Sequence, residues 1–136
     1  ENLIQYSTSG VAAFMQRGAI AALEEGEDFV AQQIARARAG RDVICDALMK
    51  TGAVDLVPPL GAFYLFFAVK GESDVRRLAM RLVDEAKVGP APGTAFGPGG
   101  ERFLRLCFAR SPEQLAEVAR RLVTWLETRG GKASAP

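Results

Sequence analysis

Six apolar residues at identical offsets occur twice in this chain. Val75, Leu78, Ala79, Leu82, Val83 and Ala86 form the first set, and Leu115, Val118, Ala119, Leu122, Val123 and Leu126 the second. The spacing i, i+3, i+4, i+7, i+8, i+11 puts each set on one stripe of an α-helix. Between them lies Arg102–Ala109, a short run with strand alternation. Two one-sided helices and an intervening strand need a shared layer to bury against. The chain is therefore confined to a small sheet with amphipathic helices packed on it.

The remaining segments complete an order α-α-β-α-(β)-β-α. Ser9 to Leu23 is Ala-rich, carries Phe14, Met15, Ile20 and Leu23, and reads as a buried or half-buried helix. Ser7, Thr8 and Ser9 are its candidate caps and Gly26 its stop. Glu27 to Lys50 reads as a longer helix, although Gly40 in its middle lowers its helix propensity by about 1 kcal/mol. Pro58-Pro59-Leu60-Gly61 is a turn. Ala62 to Val69 is a strand with apolar side chains on both faces, as expected where both faces are covered. Ser73 is the expected cap of the first striped helix. Lys87 to Ala91 can be only a short edge strand, because Pro90 cannot donate to a ladder. Gly93 to Gly100 is a loop. Ser111-Pro112-Glu113-Gln114 starts the second striped helix with an N-cap, a proline at N1 and a glutamine at N3. Gly130-Gly131 is its expected end, with a loose tail after it. The fold class expected is mixed α/β (α+β), with a small antiparallel or mixed sheet.

Composition excludes several functions. The 136 residues include 17 basic and 16 acidic ones, a net charge of +1, so a charge-driven nucleic-acid or membrane-surface binder is not expected. Apolar residues at 49% suffice for a core. There is no histidine, which removes Ser-His-Asp and Cys-His catalysis and every His-containing zinc site from this chain. No metal site is expected. Cys45 and Cys107 form no CxxC, read as buried inert thiols, and suit a reducing, cytoplasmic compartment. The longest apolar run, Ala62 to Val69, is far shorter than the roughly 20 residues of a membrane helix. The N-terminus has no signal-peptide pattern. It reads as a cut inside a longer chain.

Arg105 is the residue most in need of a partner. Alternation puts Leu104, Leu106 and Phe108 on one face of its strand, and Phe103, Arg105 and Cys107 on the other. A permanent charge amid apolar neighbours must reach an anion or water. Three arrangements satisfy it: an internal salt bridge, an edge strand facing solvent, or a guanidinium fork open to a carboxylate or phosphate. The loop Gly89–Gly100 has no phosphate-loop pattern and precedes a strand, not a helix. It is either a rigid turn with Phe96 packed inward or the lid or wall of a site. Tyr64, in a strand that reads as core, can direct its hydroxyl into a pocket. The acidic cluster Glu24 to Asp28 is explained by solvation and the helix dipole.

Three of these runs, taken in order, resemble the C-terminal part of class I/II aminotransferases, pyridoxal-phosphate enzymes of the aspartate aminotransferase fold. They are Pro59–Phe66 (PLGAFYLF), Val88–Gly97 (VGPAPGTAFG) and Arg105–Ala109 (RLCFA). Gln5–Ser9, with Gln16 and Ala21-Ala22-Leu23, is similar to the family segment after the cofactor-lysine loop. The resemblance implies that Arg105 grips the substrate α-carboxylate, and that Gly93, Phe96 and Gly61 stand at the site wall. It implies a large-domain remnant over residues 1–38, a small domain over 39–130 and a tail over 131–136. It implies pyridoxal 5'-phosphate as cofactor, an amino acid and a 2-oxo acid as substrates, and a homodimer. None of Lys50, Lys70, Lys87 and Lys132 lies in the family's Ser-x-x-Lys context, so this segment by itself is expected to lack the Schiff-base lysine and to be inactive. A C–S lyase or related synthase of the same fold, and the aminotransferase-like effector domain of a regulator, are the alternatives.

Overall fold

The computed structural model describes Leu3 and residues 10–132, with side chains to residue 129. The described residues divide into two compact units, the first ending at Ala35 and the second starting at Arg36.

The first unit holds helix α1 (Ala13–Glu25) and the start of α2 (Glu27–Lys50). Helix α1 begins later than the serine cluster suggests. Its N-cap is Ala12, which makes no side-chain cap hydrogen bond, and Ser7 to Ser9 fall outside the described residues. Gly26 follows α1 as expected. The expected burial does not occur: Phe14 is 77% and Leu23 84% exposed, and no residue of α1 is buried. Among the described residues, α1 and the start of α2 supply no second layer that covers the Ala-rich face.

The second unit is built on a four-stranded antiparallel sheet. Its strands are β1 (Val54–Leu56), β2 (Tyr64–Val69), β3 (Ala91–Pro92) and β4 (Leu104–Cys107), in the order β1-β2-β4-β3. Strand β1 is absent from the sequence reading. Three residues carry too little alternation to register, and β1 exists through its pairing of Val54 with Val69 and Leu56 with Phe67. Strand β3 lies at the sheet edge, slightly later than expected. Pro92 is tolerated there because no further strand needs its missing N–H.

Helix α3 (Val75–Arg81) runs directly into a π-helical turn, Leu82–Ala86, which Lys87 ends in the left-handed region at φ 57°. The cap is Asp74 and not Ser73: the Arg77 amide donates to the Asp74 carboxylate at 3.0 Å. The wider turn also breaks the regular stripe. Val83 is 43% exposed, whereas Val75, Leu78, Ala79, Leu82 and Ala86 are buried. Helix α4 (Pro112–Lys132) starts as predicted, with the Gln114 amide donating to Ser111 Oγ at 3.3 Å. Gly130 and Gly131 do not stop it; they lie inside its last turn.

One hydrophobic core joins these elements. Leu65, Phe67 and Val69 of β2, Leu104 and Leu106 of β4, and Phe108 pack with the buried members of the α3 stripe, with Leu115, Ala119, Leu122, Trp125 and Leu126 of α4, and with Ile44, Cys45 and Leu48 of α2. Gly40 is explained by this packing. A Cβ there would come within 2.7 Å of Leu115 Cδ1 and 2.9 Å of the Phe108 carbonyl oxygen. The weak helix former is what lets α2 approach so closely.

Candidate functional site

Alternation leaves the second face of the sheet to a different set. Phe66 is paired with Arg105, Tyr64 with Cys107, and Ala91 with Arg105. Paired residues share a face, so Tyr64, Phe66, Ala91, Arg105 and Cys107 lie together, opposite Leu65, Phe67, Leu104 and Leu106. The core-facing set is buried, whereas Tyr64, Ala91, Arg105 and Cys107 are half-buried and Phe66 is exposed. Coverage of β2 on both faces, expected from its apolar run, is therefore incomplete.

Arg105 sits on β4, an interior strand with β2 on one side and β3 on the other, so the edge-strand reading fails. No ion pair or side-chain hydrogen bond engages it among the described residues. Its guanidinium is held by aromatic rings instead. The central carbon is 3.6 Å from the Phe96 ring centre and 4.1 Å from that of Tyr64. Phe66 meets Phe96 edge-on at 5.9 Å and lies 6.4 Å from Phe103.

Phe96 does not pack inward. It is 44% exposed and lies over Arg105 at the end of a 3-10 turn, Gly93–Phe96. The base of that turn is fixed. The Gly93 amide donates to the Phe103 carbonyl at 2.7 Å, and a Cβ on Gly93 would overlap the Gly100 carbonyl oxygen. Gly61 belongs to the exposed loop between β1 and β2, and a Cβ added there would meet nothing within 4 Å. The next residue, Ala62, has φ 57°, and the Phe63 carbonyl then accepts from the Phe108 amide at 2.9 Å, joining β2 to the chain beyond β4.

The two thiols differ. Cys45 is buried, and burial raises its pKa. Cys107 is only half-buried and shares the Arg105 face, contrary to the expectation of two buried thiols.

A concavity of about 600 Å³ lies elsewhere, between the π turn and α4. Its arginines are engaged by carboxylates. Arg81 and Arg129 both hold Glu72, at 2.8 and 3.0 Å, and Arg120 and Arg121 both hold Glu117, at 2.8 and 2.7 Å. Trp125 donates to Glu85 at 2.6 Å, with the Arg81 and Arg129 guanidiniums 5.2 and 5.7 Å from its ring centre. This is a cross-linked seam, and sequence reasoning missed it because Trp125 lies outside the counted stripe. Among the described residues there is no group of three or more His, Cys, Asp or Glu that could hold a metal. No helix among them is long and apolar enough to cross a membrane.

No family model matches the chain. The probable aspartate/prephenate aminotransferase of Aquifex aeolicus is 40% identical over 133 residues, covering 93% of this chain and 33% of that protein. Among solved structures, the aromatic aminotransferase of Pyrococcus horikoshii superposes with a TM-score of 0.83 at 27% identity, over 95% of this chain and 35% of that one. The aspartate aminotransferase of Thermotoga maritima does so with a TM-score of 0.74 at 35% identity, over 93% of this chain and 32% of that one. The chain thus spans about a third of the length of the relatives it matches. Along nearly all its own length it matches the aspartate-type aminotransferases of pyridoxal-phosphate fold type I, and its fold is that of their C-terminal domain.

Proposed function

We propose that this chain is the substrate-gripping part of an aminotransferase, and that Arg105 binds the α-carboxylate common to an amino acid and a 2-oxo acid. The observation that carries this reading is an arginine on an interior strand, half-buried, with no carboxylate partner among the described residues. A guanidinium so placed offers two parallel N–H donors at the spacing of a carboxylate's oxygens. Because donor and acceptor substrates carry the same α-carboxylate, one fixed arginine serves both halves of an amino transfer. Fixing the carboxylate also fixes which bond at the α-carbon is presented for reaction, a positional effect worth several kcal/mol, on the order of the gains from orientation generally. Phe96 and Gly93 form the wall beside it, and Gly61 the outer rim.

The residues present fit the carboxylate end of such a site and not the cofactor. The Lys70 amine is held at the β1 edge by the Gly52 carbonyl at 2.9 Å and Asp55 at 3.7 Å. Lys50 ends α2, and Lys87 stands exposed in the left-handed turn. None of these amines approaches Arg105 among the described contacts. Pyridoxal phosphate would need residues other than these, so this chain alone is proposed to be inactive. The complete enzyme is proposed to be a homodimer, a reading supported by the exposed Phe14, Ile20 and Leu23 of α1. The two free thiols support a reducing, cytoplasmic setting.

The test is half-reaction kinetics of the complete enzyme with an amino acid and with the matching amine that lacks the carboxylate. Arg105→Lys keeps the charge and loses the fork. It is expected to lower kcat/KM for the amino acid about 30- to 5000-fold, the range set by truncating one partner of a hydrogen-bonded charge pair. The amine should be unaffected. Equal loss on both, or on neither, would make the arginine structural.

A further inference from the structure

We propose that Phe96 and Tyr64 are positioning residues that hold the Arg105 guanidinium by its faces, so that only its edge is offered to a carboxylate. The inference rests on the reading of Arg105 given above and adds how the fork is aimed. The five N–H donors of an arginine lie in the plane of its guanidinium. Rings whose centres lie 3.6 and 4.1 Å from its central carbon occupy the space over that group. Among the described residues no acceptor engages those donors, and no buried side-chain nitrogen lacks a partner, so the edge reaches solvent. A long, flexible side chain is thereby held ready without being neutralised.

The placement of Phe96 is itself fixed. Gly93 and Gly100 meet backbone to backbone at the base of its turn, and Phe66 meets its ring edge-on at 5.9 Å. Tyr64 is set by its β2 register opposite Cys107. The two rings therefore come from separate elements, a glycine-fixed turn and an interior strand. Phe96 is 44% exposed, so shortening it leaves the core untouched.

The experiment compares Phe96→Leu, Tyr64→Leu, Phe96→Tyr and Arg105→Lys in the complete enzyme, with an amino acid and with its decarboxylated amine. Loss of one ring is expected to raise KM for the amino acid about 2- to 30-fold, the range of a single cation–π contact, with kcat held within about 2-fold. Phe96→Tyr, which keeps a ring, should restore KM. The amine should not respond. The proposal is overturned if Phe96→Leu and Tyr64→Leu both leave KM for the amino acid unchanged. It is also overturned if they impair the amine equally, or if Phe96→Tyr fails to rescue. Should Arg105→Lys itself not discriminate amino acid from amine, the underlying reading of Arg105 fails. Should it discriminate while both ring variants are silent, only the positioning role fails.

Discussion

Gly40 of α2 lies directly against the main chain of Phe108: a Cβ on the glycine would stand 2.9 Å from the phenylalanine's carbonyl oxygen. Helix propensity alone says that Gly40→Ala should stabilise a helix interior by about 1 kcal/mol. Close packing says the reverse. The added methyl meets a backbone oxygen, which cannot rotate away, and the Leu115 side chain at 2.7 Å. Overpacking of this kind costs about 1–3 kcal/mol. Gly40→Ala is therefore expected to lower the urea midpoint with an unchanged m-value. A raised midpoint would mean that α2 shifts without cost.

Trp125, on the flank of the α4 stripe, is expected to contribute through its hydrogen bond as well as its burial. It is buried, donates to Glu85, and lies near the two arginines that share Glu72. Trp125→Ala should destabilise by about 3–5 kcal/mol, as for other buried aromatics. Trp125→Phe keeps a ring and loses the N–H donor, at a cost of about 0.5–1.5 kcal/mol. Thermal unfolding of the two variants tests that ordering. Equal losses would show that the hydrogen bond, and not the ring, ties α4 to the π turn.

Much of the fold was legible because it rests on local periodicity. The α4 stripe and cap, the Glu27–Lys50 helix and the two faces of β4 follow from spacings of 3.6 and 2 residues. What was not legible depends on distant partners. Strand β1 needs β2, the burial of Gly40 needs Phe108, and the exposure of Val83 needs a π turn that no propensity encodes. The candidate site divides in the same way. Arg105 stood out as a charge in an apolar strand, whereas its two rings come from β2 and from a turn before β4, and only the folded chain brings them together. The exposed face of α1 ran against expectation because periodicity reports an apolar face without reporting what covers it.

Glu117 provides a test by pH. Hydrogen bonds from Arg120 and then Arg121 lower its pKa from 4.5 to about 2. A carboxylate depressed in the folded state favours folding above its unfolded pKa, and that contribution is lost as pH falls through the folded value. Its loss should fall between about 4.5 and about 2. Carbon-13 titration of the Glu117 carboxyl should therefore show a midpoint near 2. Because the pair is solvent-exposed, molar salt should move the midpoint back up. In Glu117→Gln the acid-induced loss of stability in that window should be smaller. A midpoint in the ordinary glutamate range at low salt would show that the two arginines do not hold the carboxylate in solution.

Gly93→Ala should separate the shape of the Phe96 turn from the chemistry of its ring. The glycine amide donates to the Phe103 carbonyl at 2.7 Å, and a Cβ at this position would run into backbone oxygens of Gly100 and Phe103. Neither oxygen belongs to a flexible side chain, so the turn itself must move. Strand β3 ends at the preceding residue, Pro92, which is paired with Leu104. The displacement therefore falls at the base of Phe96 and next to the Arg105 strand. Overpacking against backbone is expected to cost about 1–3 kcal/mol in urea unfolding. In the complete enzyme the same change should raise KM for the amino acid at least as far as Phe96→Leu does, because it displaces the ring and also loosens its base. Gly93→Ala combined with Phe96→Leu should then be less than additive in KM, the signature of two residues acting through one contact. Full additivity would show that Gly93 influences the site by a route that does not pass through the Phe96 ring.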